Sequence, residues 1–530
     1  MKKIICVFSI IVLALVFSAC TDDFAEINKH PYLLTEGSLQ QDYNHLGAYF
    51  PTLIRNIRTG GFGDQTQHNL AHEQFMRHLA TPTPFVGGVN NTTYVITWNP
   101  FWGHQYGNVF APARQVMRIA DEDPDGQYEV FKYMAKLFQI TSAHRLTSYY
   151  GPIIYSDYGS PDQTIYYDSE QDLYNSLFAD LDEVLAVLNA NTDYPGLARF
   201  DASYGGDISK WIRYANSLRL QIAMRLVNVA PALAKAEAEK AISAPGGLIL
   251  EVGDNLNVST YGELFPHFVF TWAWGDTRMA ATMESVLLGY EDPRVHEYFE
   301  PAEDLTLVDN PEWPYKGVRS GAYLESKAQR MPFSGTNRGF ENLDYHMTMQ
   351  ASIVNFMLAE AALRGFAGTQ TAQHHYEAGV RAAFAEWGAG GADAYLENDT
   401  GVPLDYVDPL DPRNNFNTRM SLTVKWDEGA DNEVKLERIM TQKWIAGYLN
   451  SVETWVDHRR TGYPKIPYNA KNDSRADWGV IGAEEFIKRM PFVNAERNNN
   501  PEGVADATQK LGGPDLISTR LWWDVPGPNF

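Results

Sequence analysis

The sequence predicts a mainly α protein whose amphipathic helices come in pairs, with long irregular loops between the pairs. Three observations carry that expectation: apolar residues recur at spacings of three and four, Gly and Pro stop signals follow them, and strand-like alternation is sparse. In "YEVFKYMAKLFQITSAHRLTSYYG", Val130, Met134, Leu137 and Ile140 share a face and Gly151 ends the run. In "DLYNSLFADLDEVLAVLN", Leu173, Leu177, Leu181, Val184 and Leu188 form one stripe opposite a row of acids. Next, "DISKWIRYANSLRLQIAMRLVNVA" aligns Trp211, Ala215, Leu218, Ile222 and Leu226, and the Ala-rich "PALAKAEAEKAI" follows it. "TMQASIVNFMLAEAALRGF" with "TAQHHYEAGVRAAFAEWG" makes another pair, and "EVKLERIMTQKWIAGYLNSVETWVDHRR" the last. The pairs cover about 105–240, 348–388 and 432–460 within a single domain of 41–530. Such pairs suggest a TPR-like stack, although no repeat of about 34 residues recurs cleanly.

Between the pairs lie stretches rich in Gly, Asn, Pro and aromatics, at about 81–105, 245–345 and 462–525. Ordering loops of this length costs entropy, so loops that persist in a compact protein are commonly functional. "HFVFTWAW" alternates enough for a short strand and reads equally as an aromatic loop.

The N-terminus carries its own signal. Lys2 and Lys3 precede an apolar run from Ile4 to Ala19, and Ser18 and Ala19 precede Cys20, which Asp22 and Asp23 follow closely. At roughly 16 residues the run falls short of the ~20 that a spanning helix needs, so residues 1–19 are expected to be a secretory signal. The small-small-Cys ending resembles a bacterial lipobox, with Phe17 where leucine is usual. Cys20 is thus expected to be lipidated, and 20–40 to form a leash. Each buried CH₂ of an acyl chain contributes ~0.8 kcal/mol, so two or more chains hold a protein on a bilayer. With Cys6 lost in the signal, the mature chain keeps no thiol pair for a disulfide or a CxxC metal site.

Composition excludes other classes. The formal net charge is −23, and no basic cluster interrupts it, so nucleic acid is not an expected partner. Apolar residues make up 44 % of the chain, ample for a large core, while 13 % aromatics can also line a ligand cleft. "HNLAHEQFMRH" holds His68, His72, Glu73 and His78, but Asn69 stands where a zincin needs its glutamate, so these read as a polar helix face. Glu360, in an apolar helix, reads as a buried carboxylate satisfied by a neighbouring arginine. GxSxG, P-loop and dinucleotide fingerprints are lacking, and no spacing identifies a glycosidase pair. Acid-rich loops are compatible with a structural calcium, but no EF-hand loop names its ligands, so no cofactor and no metal residues are assigned.

Seven segments, in order, resemble the SusD/RagB family of Bacteroidetes outer-membrane lipoproteins. "DFAEINKHPY" (Asp23, Phe24, Ile27, Asn28, Pro31) and "LTSYYGPIIYSDY" are followed by "KWIRYANSLRLQIAMRL" with Trp211, Ala215, Asn216 and Arg225. "YEDPRVHEYF" with Asp292, Pro293 and Arg294 comes next, then "MLAEAALRG" with "QKWIAGYLNSVETWVDHRRTGYP". "TRLWWDV", with Leu521, Trp522, Trp523 and Asp524, closes the series. The resemblance implies a SusD-like fold of four TPR-like helix pairs backing an irregular, variable face. It also implies a lid over a SusC-like TonB-dependent outer-membrane transporter that captures glycans or oligopeptides, with the acids after Cys20 directing the lipoprotein to the cell surface.

Ligand residues vary in that family, so the candidates rest on chemistry. A sugar offers C–H faces and hydroxyls that suit flat aromatics flanked by Asn, Asp or Arg. The first loop supplies Phe85, Asn90, Asn91, Tyr94, Trp98 and Trp102; the second supplies Trp272, Trp274, Asp276 and Arg278. Trp102 and Tyr106 also fit the start of a helix, where they would only pack. Three classes stand: a binding lid without chemistry, which leads; a lipid-anchored hydrolase using paired carboxylates; and a TPR-type scaffold for a protein partner.

Overall fold

The computed structural model describes residues 41–58, 61, 63–85 and 91–530. The signal, Cys20, the leash and Asn90 lie outside the described residues. Residues Tyr49–Phe530 form one compact unit.

That unit is mainly helical. Its longer helices are α1 (Phe50–Ile57), α2 (Ala111–Asp121), α3 (Glu129–Tyr150), α4 (Glu170–Ala190), α5 (Ile208–Arg225) and α6 (Pro231–Ile242). They continue with α7 (Ala281–Gly289), α8 (Ala351–Leu363), α9 (Ala372–Trp387), α10 (Asn432–Ala446), α11 (Ser451–Thr461) and α12 (Pro501–Leu511). Sequential neighbours pack together: α2 on α3, α3 on α4, α4 on α5, α5 on α6, and α8 on α9. α10 lies on α8 and α9, and α11 on α5. Caps set the starts: Ser169, Asp207, Thr371 and Asp431 each accept backbone N–H groups of the first turn. The last expected pair is α10 and α11, between which the chain turns from Ala446 to Ser451 with Leu449 at φ 63°.

Strand content is limited to two small antiparallel sheets among the described residues. β1 (Leu79–Ala80) pairs with β3 (Arg278–Met279), and β2 (Leu256–Ser259) pairs with β4 (Tyr345–Met349). "HFVFTWAW" is neither strand nor loop. Pro266 starts a helical turn over Pro266–Phe268 that continues as a wider turn over Val269–Ala273. Pro at the first helical position sets φ and has no N–H to leave unpaired, which favours helix over the alternation read from the sequence. The stretches read as loops also hold α7 and α12. α12 has the signals that mark a helix, Pro501 at its start and Gly512 at its end, whereas α7 is buried nearly all round and shows no amphipathic stripe.

Buried ion pairs tie the last helices together. Glu360 on α8 is wholly buried and accepts from Arg460 on α11 through both oxygens, at 2.6 and 2.7 Å, and from Arg364 at 2.9 Å. Burial pushes its pKa up, but Arg460 and Arg364 outweigh that and hold it at about 2. Asp292 and Arg294 likewise form a buried pair, with Arg294 reaching Gln442 on α10.

Gly151 ends α3 at φ 80°, and a Cβ there would stand 2.9 Å from Leu521 and 3.1 Å from Leu511. Only glycine permits both that conformation and the close approach of the C-terminal segment. Gly151→Ala is expected to cost about 1–3 kcal/mol, read as a lower Tm. An unchanged Tm would show that the C-terminal segment can move aside.

Candidate functional site

The two aromatic loops named from the sequence meet in the structure. β1 feeds into residues 81–85 and β3 follows 272–277; the register places Ala80 opposite Arg278. Beyond the ladder the two segments stay joined, because the Thr83 hydroxyl donates to Asp276 Oδ1 at 2.6 Å. Phe85 lies two residues past Thr83 and Trp274 two residues before Asp276, so this bond holds their backbone segments together. Asp276 is a hub: Gln65 Nε2 donates to it at 3.2 Å and Lys327 Nζ at 2.8 Å.

Trp274 is 38 % exposed and stacks on Phe270, one turn earlier, with ring centroids 5.3 Å apart. Trp272 is half-buried, and its indole N–H donates to the Thr336 carbonyl at 3.1 Å. The exposed guanidinium of Arg338 lies 3.7 Å above the Trp272 ring, so this arginine, which sequence reading missed, belongs to the surface. Nothing in its own segment distinguishes it; only the fold brings it to Trp272. On the facing loop, Trp98 is half-buried and meets Phe85 edge-on at 4.9 Å.

The other candidates are placed differently. Asn91 is wholly buried and clamps the loop: its Oδ1 accepts from the Thr97 and Trp98 N–H groups, and its Nδ2 donates to the Trp98 carbonyl. It acts through Trp98. Tyr94 is buried at φ 69°. Arg278 is buried too, donating to the Thr271, Thr277 and Met331 carbonyls, which uses it as a backbone brace; burial lowers its pKa to about 10. Trp102, on the helical turn Phe101–Gln105, is 3 % exposed and stacks on Tyr167, so most of its ring is core. Its remaining edge borders a cavity of about 540 Å³ walled by Tyr106, Tyr158, Ile154 and Val493. Of the nine candidates among the described residues, Phe85, Trp98, Trp272, Trp274 and Asp276 thus stand at or near the surface, while Asn91, Tyr94, Trp102 and Arg278 support it from within.

His68, His72, Glu73 and His78 correct the expectation of a polar helix face, since all four are buried. His78 bridges Ser451 and the Trp444 carbonyl, joining β1 to α10 and α11. His68 and His72 face each other at 2.7 Å, and burial holds both well below the usual histidine pKa. Glu73 accepts from His267 Nε2 at 2.9 Å, and burial, opposed and outweighed by His267, leaves its pKa at about 2. The spacing gave no sign of burial, because the partners Asp64, Asn69 and His267 come from other turns.

A stack of paired helices carries long irregular segments, on which Trp274 is exposed and Trp98 and Trp272 are half-buried. The family model described as SusD-like, SusD and RagB outer membrane lipoprotein, matches residues 26–524, and the chain belongs to that family of nutrient-binding lipoproteins. Among solved structures it is similar to a chitin-binding SusD homolog from Flavobacterium johnsoniae, at 40 % identity over 92 % of this chain and 100 % of that one, with a TM-score of 0.86. A SusD homolog from Bacteroides vulgatus is 32 % identical over 92 % of this chain and 99 % of its own, with a TM-score of 0.84. A SusD-like protein from Bacteroides thetaiotaomicron is 31 % identical over 90 % and 98 %, with a TM-score of 0.82. Curated proteins give no match. Among the described residues no helix is long and apolar enough to cross a membrane.

Proposed function

We propose that this protein is a cell-surface substrate-binding lipoprotein of the outer membrane, anchored through Cys20. In this reading it acts as a lid on a SusC-like TonB-dependent transporter and captures glycans or other oligomeric nutrients for import without chemistry of its own. The observation that supports this is the pairing of the two loops by β1, β3 and the Thr83–Asp276 bond, which brings the segment carrying Phe85 and Trp98 beside the segment carrying Trp272 and Trp274. Flat rings beside fixed donors suit the C–H faces and hydroxyls of sugars. Similarity to a chitin-binding relative makes β-linked amino-sugar oligomers the first ligands to try.

A lid needs open and closed states separated by a few kcal/mol, so that ligand contacts from lid and barrel together shift the balance. The test is a binding screen against polysaccharides and oligopeptides, with the recovered ligand checked for cleavage. Binding of one class with the ligand intact is the expected result; cleavage products would overturn the reading and favour a hydrolase. For the anchor, Cys20→Ala is expected to release a soluble protein that binds ligand and no longer supports uptake. If the variant stayed in the membrane fraction, lipidation of Cys20 could not be the anchor.

A further inference from the structure

The helical segment that carries Trp272 and Trp274 begins above a buried polar cluster. Asp64, Glu73 and His267 have no exposed surface, and they can offer one ligand atom each, all within 4.8 Å of one another. They come from three separate places: the turn before Gln65, the helical turn His72–Phe75, and the turn Pro266–Phe268. We propose that Asp64, His267 and His68 hold one divalent cation of the zinc class, with Glu73 bracing His267 from behind, a structural ion that staples these segments beneath the aromatic loops. This site is independent of the nature of the nutrient.

The unsatisfied atoms point to it. Asp64 Oδ2 and His267 Nδ1 are both buried without a hydrogen-bond partner, and they face each other at 3.9 Å. That is too long for a hydrogen bond and close to the separation of about 3.4 Å between two donors on one tetrahedral zinc. A third orphan, His68 Nε2, lies 3.7 Å from Asp64 Oδ1 and is the third donor. Buried polar atoms left unpaired are costly, and one cation between them relieves all three.

Each side chain is also held from behind, as metal ligands usually are. Arg58 donates to Asp64 Oδ1 at 3.0 Å, leaving Oδ2 open. Glu73 accepts from His267 Nε2 at 2.9 Å, which leaves Nδ1 turned toward Asp64, and Asn69, fixed by the Thr277 hydroxyl at 2.9 Å, steadies Glu73 at 3.1 Å. His72 holds His68 Nδ1 at 2.7 Å, which turns Nε2 toward Asp64. A donor set of imidazole and carboxylate in a small closed space suits zinc and its neighbours; calcium asks for six to eight oxygens. The rival occupant of the same space is a proton, with His267 as an imidazolium clasped between the two carboxylates.

Metal analysis separates the two. The full chain, purified in detergent without added metal, is expected to carry about one equivalent of a zinc-class transition metal. After unfolding in chelator and refolding without metal, Tm should fall by several degrees, and Zn²⁺ alone should restore it. Co²⁺ in its place should give visible d–d absorption. Asp64→Asn and His267→Gln should each lower bound metal at least about tenfold; if a variant does not fold, the wild-type metal content decides. Folded wild-type protein that holds less than about a tenth of an equivalent, and whose Tm ignores Zn²⁺, overturns the proposal in favour of the proton. One equivalent of calcium in place of a transition metal overturns it as well.

Discussion

Trp98→Ala and Trp274→Ala should each weaken ligand binding about tenfold, and the double variant about a hundredfold, with Tm changed by no more than a few degrees. The reason lies in their placement. Trp274 is 38 % exposed and Trp98 half-buried, each resting on one aromatic neighbour, Phe270 and Phe85. Removing either ring takes away a stacking face and leaves the hydrogen bonds of Asn91 and Asp276 in place. Arg278→Ala is the contrasting case, because that guanidinium braces three backbone carbonyls and its loss should unfold the turn. Calorimetric titration beside thermal melting reads both effects. Unaltered affinity in the double variant would move the ligand off this surface, and a collapse in Tm would assign the two rings to the core.

The largest stability effect is expected at Glu360. Breaking the pair by Arg460→Ala or Glu360→Gln should cost about 3 kcal/mol, since a buried charge loses its two-point partner and keeps only Arg364 or Asp457. Denaturant unfolding measures it, and a loss under about 1 kcal/mol would contradict the pairing. The pair also has a pH signature. The folded pKa of Glu360 is lowered from an ordinary 4.5 to about 2, so its contribution is fully present above about pH 4.5 and is lost as pH falls toward 2. That difference corresponds to about 3 kcal/mol, which the Glu360→Gln variant should no longer lose on acidification.

Much of this was legible along the chain. α3, α4 and α5 follow the stripes of Leu, Val and Ile, because a helix buries whatever recurs at its own period. The need for an arginine at Glu360 was legible too, because a carboxylate amid Ala, Leu and Met has few other ways to be tolerated. Two features misled. The Phe-Val-Phe-Thr-Trp-Ala-Trp run alternates like a strand, yet Pro266 and the packing of Phe270 under Trp274 make it helical. His68, His72 and Glu73 look solvated in a polar string, yet partners some two hundred residues away enclose Glu73.

The sequence by itself determined the helical pairs and the two aromatic-rich segments, because periodicity, caps and local composition are properties of neighbouring residues. Tertiary structure alone decided which aromatics face outward, that Arg338 joins Trp272, and that Asp64, Glu73 and His267 meet. Those contacts join residues far apart in the chain, and their energies depend on burial and distance, which no local pattern encodes.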